Sequence, residues 1–236
     1  MAIATNQTTE ERTEEIEIPV GPHRTVRGTL QRPPRSHGVI VFAHGSGSSR
    51  RSPRNRAVAE ELNRAGFATL LMDLLTEDEE DNRRNVFDIG LLAGRLTAAA
   101  NWLGIEGGTA GLPLGYFGAS TGSAAALLAA ATQPDRAAAV VSRGGRPDLA
   151  WDDLSAVATP TLLIVGGDDE PVLTWNREAF NRLTCAKDLA VVPGATHLFE
   201  EPGALERVAH LAREWFNRYL TPATNRPDDI TPLRTP

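Results

Sequence analysis

Two rhythms of apolar residues run along this chain. Near the start, "EEIEIPV" and "RTVRGTLQRP" alternate apolar with polar residues at period two. That is the mark of half-buried strands, and the turn chemistry of "VGPH" between them predicts an antiparallel pair. After Pro33 and Pro34 the rhythm changes to short continuous apolar runs. These are "HGVIVFAHG", "FATLLMDLL", "LGYFGAS", "AAAVVSRGG", "TLLIVGGDD" and "KDLAVVPG", each suited to a strand covered on both faces. Helical stretches separate them. The first runs from about Ser52, with Pro53 in its first turn, to Gly66. The others are "LLAGRLTAAANWLG", "TGSAAALLAAATQPD", a short helix near "DLAWDDLSAVA", "WNREAFNRL", and finally the longest, "ALERVAHLAREWFNRYL". "TEDEEDNRRN" is expected to be a loop, residues 1–13 disordered, and residues 221–236 a proline-rich tail.

Strand alternating with helix in this way predicts the α/β class, with a mostly parallel central sheet carrying helices on both faces. No internal repeat and no linker interrupts residues 14–220, which are expected to form one domain. In such sheets ligands bind beyond the carboxyl ends of the strands, so the residues just after each apolar run carry the most information.

Composition narrows the classes. The chain has 236 residues, 41% hydrophobic and 23% charged, enough apolar content for a substantial core. A net charge of −6 disfavours a nucleic-acid partner. Cys185 is the single cysteine, which excludes an internal disulfide and argues against a thiolate metal site; it is read as inert. The polar, acidic start has no secretory apolar region, and no apolar run reaches the roughly 18 residues a membrane span requires. A cytoplasmic protein with no membrane partner is therefore expected; the oligomeric state is not encoded legibly.

Four strand ends carry unusual residues. They are His44-Gly45-Ser46-Gly47-Ser48-Ser49, Gly118-Ala119-Ser120-Thr121-Gly122, Gly166-Gly167-Asp168-Asp169, and Ala195-Thr196-His197. A serine, an acid and a histidine thus occur in order on three of them. A serine hydroxyl is a poor nucleophile until an imidazole takes its proton, and the imidazole needs a carboxylate to fix its tautomer. Of nine serines only Ser120 has glycine at both minus two and plus two, the pattern of a tight strand-to-helix turn that exposes its oxygen. Such a turn aims the backbone N–H of Thr121 at a developing oxyanion, and the N–H of Ser46 is the expected second donor.

On "FAHGSGSS", Gly118 to Gly122, "GGDDEPV" and "PGATHLFEEPG" the sequence resembles the α/β-hydrolases, in particular the small dienelactone-hydrolase-like esterases, over roughly Gly38 to Leu220. The resemblance implies the α/β-hydrolase fold, Ser120 as nucleophile, His197 as base and an aspartate after "TLLIVGG" as its partner. The family spacing Gly-x-x-Asp-x-x-Val is met by Gly166, Asp169 and Val172, which selects Asp169 and leaves Asp168 as a turn residue. One departure is plain: the dienelactone hydrolases proper use cysteine where this chain has Ser120. That shifts the expectation from lactones to general esters.

The remaining candidates are weaker. Arg50, Arg51, Arg54, Arg56, Arg143 and Arg146 follow strand ends and could hold a substrate carboxylate. The plainer reading pairs them with the acidic run Glu77 to Asp81 and with Asp148, leaving Arg143 as the best substrate-binding candidate. Trp151, then Trp175, are the candidate aromatic walls, and His44 is read as orienting the oxyanion loop. The acidic run is read as solvated rather than metal-binding. Only about 15 residues separate Gly145 from the next strand, so no cap domain is expected. Together these predict a cofactor-free serine hydrolase, a carboxylesterase acting on small esters. A thioesterase or peptidase, or a non-catalytic ligand-binding module, are the alternatives.

Overall fold

The structure, a computed structural model, describes residues 11–221. Strands β1 (Arg12–Gly21) and β2 (Arg24–Arg32) form the expected antiparallel hairpin, with Ile18 opposite Val26. Ile18, Val26 and Leu30 point into the core while alternate residues face water, as the period-two pattern requires. The hairpin is the edge of an eight-stranded sheet, and β2 runs antiparallel to β4 (Ala68–Met72). From there β4, β3 (Val39–Ala43), β5 (Leu114–Ala119), β6 (Ala139–Arg143), β7 (Thr161–Gly166) and β8 (Lys187–Val192) are all parallel. The fold is the α/β-hydrolase fold expected from the sequence, with no cap domain among the described residues.

The continuous apolar runs are explained by two cores. In β3, Val39, Val41 and Ala43 face one core, and Ile40 and Phe42 face the other, so no position can be polar. One face is covered by α1 (Pro53–Arg64) and α7 (Ala204–Leu220), which contribute Val58, Leu62, Val208 and Phe216. The other is covered by α4 (Ile89–Ile105) and α5 (Thr121–Thr132), with Leu96, Ala125 and Leu127 buried, and by α6 (Val172–Arg182) through Ala179. The caps follow the sequence signals. Ser52 Oγ accepts the Asn55 N–H at 3.3 Å with Pro53 at the first helical position, and Asp88 Oδ1 accepts the Leu91 N–H at 2.9 Å.

Three expectations change. The stretch expected to be a loop contains α2 (Glu77–Glu80) and α3 (Arg83–Val86). Glu79 accepts the Thr76 N–H at 3.0 Å in a capping box, and its carboxylate is buried against Arg95 (2.6 Å) and Arg24. One acid of the run is therefore a core ion-pair partner rather than a solvated charge. "DLAWDDLSAVA" forms a 3-10 helical stretch, Pro147–Ala156, broken by non-helical backbone at Ala150. Of residues expected to be disordered, Arg12 and Thr13 pair in β1, while 1–10 lie outside the described residues, as do 222–236 of the expected tail.

Candidate active site

All four strand ends singled out in the sequence lie at the carboxyl edge of the parallel strands. β5 ends at Ala119, and Ser120 stands between it and α5 with φ +51° and ψ −122°. That backbone conformation is costly for a residue with a side chain, and it lifts the hydroxyl clear of both strand and helix. The flanking glycines are needed for close approach. A Cβ on Gly122 would overlap the carbonyl oxygen of Ala43, and one on Gly118 would overlap the backbone of Ser123 in the first turn of α5.

The loops after β7 and β8 converge on this hydroxyl. His197 Nε2 lies 3.3 Å from Ser120 Oγ, and its Nδ1 lies 2.8 Å from Asp169 Oδ2. With the proton on Nδ1 donated to Asp169, Nε2 is left as an acceptor facing the serine. The Asp169 side chain is only 7% exposed and that of His197 is 36% exposed, so the carboxylate is sheltered while the imidazole remains accessible. Asp168 is exposed and its N–H is spent on the Ala195 carbonyl at 3.0 Å, a turn contact between the two converging loops.

The two backbone donors expected beside Ser120 differ from expectation at one atom. Thr121, the first residue of α5, has no partner for its N–H within the helix. The Ser46 N–H, expected to be the second open donor, instead donates to Thr121 Oγ1 at 2.8 Å. His44 anchors the loop beneath: its Nε2 accepts the Leu74 N–H at 3.1 Å and its Nδ1 donates to the Gly45 carbonyl at 3.0 Å. His44 is 7% exposed, and burial, partly offset by Gly45 and by Asp73, holds its pKa below the ordinary histidine value. A cavity of about 430 Å³ opens against this loop, lined by Ser46 and Thr121, by Leu74, Leu75, Val86 and Leu92, and by Glu80.

The arginines do not pair as expected. Arg50 binds Asp73 (2.6 Å) and Glu15 (3.2 Å), and Arg54 binds Glu200 (2.9 Å); the acidic run is instead served by Arg24, Arg27 and Arg95. Only Arg146 keeps its expected partner, Asp148, at 2.8 Å, while its guanidinium lies 4.5 Å from the centre of the Trp175 ring. Arg143 is buried, lies over the Phe199 ring, and reaches Asn55 Oδ1 at 3.5 Å. Its pKa is pushed down to about 10 by burial and by the nearby charge of Arg54. The Trp151 ring, half-buried, is covered by the Arg182 guanidinium at 4.3 Å. Among the described residues no group of three or more His, Cys, Asp or Glu side chains is arranged to hold a metal ion, and no helix is long and apolar enough to cross a membrane.

Asn176 was not anticipated. Its buried amide donates to the Gly145 carbonyl (3.0 Å) and to the Val172 carbonyl (2.8 Å), tying α6 to the loop after β6. The available signal was periodicity: Asn176 shares the buried face of α6 with Val172, Leu173 and Ala179.

Comparison with known proteins agrees with this architecture. Two curated proteins from two strains of Mycobacterium tuberculosis, each carrying the name "Putative phosphoribosyl transferase", are 59% identical over 209 residues, 89% of this chain but 47% of theirs. The chain thus spans about half the length of these relatives. A crystal structure of a dienelactone hydrolase from Anabaena variabilis is 55% identical, with a TM-score of 0.86, covering 89% of this chain and 99% of that one. The fold alone is shared with Est1E from Butyrivibrio proteoclasticus, which is 18% identical with a TM-score of 0.74 over 86% of this chain and 98% of its own. The sequence profile of the dienelactone hydrolase family matches residues 25–221, and the chain belongs to that family.

Proposed function

We propose that the protein is a serine hydrolase that cleaves small carboxylic esters through an acyl-enzyme. The observation that carries this reading is the single imidazole of His197 held between Asp169 at 2.8 Å and Ser120 at 3.3 Å. In the first half-reaction Ser120 Oγ attacks the acyl carbon as its proton moves to His197 Nε2, and Asp169 stabilises the imidazolium through Nδ1. The carbonyl oxygen becomes an oxyanion beside the Thr121 N–H at the start of α5, where the helix dipole also favours negative charge. His197 then returns its proton to the leaving alcohol. Water, deprotonated by the same nitrogen, releases the acid and restores Ser120.

Leu74, Leu75, Val86 and Leu92 beside the oxyanion loop suit a small apolar group on the substrate, and Glu80, which lines the same cavity, disfavours an anionic one. The hydrolase reading is also supported by membership of the dienelactone hydrolase family and by the likeness to the Anabaena protein. It assigns no role to the phosphoribosyl transferase name of the mycobacterial relatives, which belongs to proteins about twice as long.

Labelling with a fluorophosphonate and mapping the adduct tests this directly. Rapid modification at Ser120, lost in His197→Ala, is the expected result. Folded protein that resists the probe, or an adduct on another residue, overturns the assignment.

A further inference from the structure

We propose that the side-chain hydroxyl of Thr121, together with its backbone N–H, donates to the oxyanion, so that one residue supplies both a main-chain and a side-chain donor. This inference rests on the serine-hydrolase reading above. It begins from the Ser46 N–H, which has one proton and directs it at Thr121 Oγ1 over 2.8 Å. That proton is not free to serve a carbonyl oxygen at full strength.

A hydroxyl has one proton and two acceptor sites. At Thr121 an acceptor site is filled by Ser46, and no acceptor for the hydroxyl proton is found among the described residues. The residue is 2% exposed and forms part of the wall of the cavity that Ser46 also borders. A nearly buried donor proton without a partner is unfavourable, and it is relieved when an acceptor arrives. An oxyanion formed on the carbon attacked by Ser120, the preceding residue, is such an acceptor.

The geometry also makes the donor rigid. Thr121 is β-branched and opens α5, so its χ1 is restricted, and the Ser46 N–H fixes the oxygen's position. The arrangement polarises as a chain, Ser46 N–H to Thr121 O–H to oxyanion, with no proton transferred along it. Ser46 then acts through Thr121 and is a positioning residue.

Removing the hydroxyl with Thr121→Val keeps the side chain's shape. Loss of one oxyanion donor elsewhere lowers kcat about 10²- to 10³-fold, and a fall of at least about 30-fold with little change in KM is expected here. Thr121→Ser is expected to restore most of the rate. A boronic acid that mimics the tetrahedral adduct should bind Thr121→Val more weakly by a similar factor. Should Thr121→Val not fold, the ratio between Thr121→Ser and Thr121→Ala carries the same test.

An unchanged or higher kcat in Thr121→Val overturns the proposal: the hydroxyl would then be blocking the Ser46 N–H. Ser120→Ala, measured beside it, separates the two levels. If Ser120→Ala is inactive while Thr121→Val is fully active, only the role of Thr121 falls. If Ser120→Ala retains wild-type turnover, the serine-hydrolase reading falls and takes this inference with it.

Discussion

His44 and His197 are the same residue type on two strand-end loops that meet at Ser120, yet their surroundings are opposite. His44 is buried, both ring nitrogens are engaged with backbone groups, and burial holds its pKa below the ordinary histidine value. His197 sits on an accessible loop with one nitrogen on a carboxylate and the other facing a hydroxyl. The difference teaches that a histidine's capacity for proton exchange follows from what the second nitrogen is left to do. A ring nitrogen that accepts a buried main-chain N–H cannot give that acceptor up without exposing an unpaired donor. A nitrogen opposite a hydroxyl can.

His197→Ala is the largest expected effect: kcat for an ester substrate falls about 10⁴- to 10⁶-fold while circular dichroism and Tm remain close to wild type. Turnover within about tenfold of wild type would remove His197 from the comparison. Asp169→Asn is expected to cost about 10⁴-fold in kcat by favouring the wrong imidazole tautomer, whereas Asp168→Asn, in the exposed turn, leaves the rate within about threefold. Equal losses in the two variants would contradict the geometry.

His44→Ala tests the other histidine and reads out in stability. It orphans the buried Leu74 N–H and leaves a cavity, so a loss of about 1–3 kcal/mol in denaturant unfolding is expected, larger than for His197→Ala. The smallest effect is on pH. His44 is depressed in the folded protein relative to an ordinary value of 6.5, so the unfolded chain binds its proton first. Its stabilising contribution is therefore complete above about pH 6.5 and is lost as pH falls below that value toward the folded one. The gap in Tm between wild type and His44→Ala should narrow on acidification from about pH 7.5 to 5. A constant gap would place a proton on His44 equally in both states.

The legible parts of this protein were those whose chemistry resides in residue identity. The run "VIVFA" announces a doubly covered strand, and Gly118, Ser120 and Gly122 announce a turn because few other reasons place glycine on both sides of a serine. Asp169 is separable from Asp168 only through the spacing that the family resemblance supplies, and it is Asp169 that faces His197. What stayed hidden depends on direction or on distant partners. The charge of Glu79 looked solvated because Arg95, the cation that buries it, lies on another helix. The engagement of the Ser46 N–H could not be read, since every non-proline residue has that group and only the fold decides where it points.

The backbone at Ser120 carries a last consequence, for how such a protein drifts under selection. Its φ of +51° and ψ of −122° fall where glycine is at ease and serine is not. Ser120→Gly is therefore expected to raise stability by up to about 1–3 kcal/mol while abolishing turnover, measurable as a higher denaturant midpoint with an unchanged m-value. If the proposed function holds, a lineage released from the need for hydrolysis would find that replacement favoured by thermodynamics alone. On the proposed function, the strain at Ser120 is the cost of keeping its hydroxyl in place for the reaction.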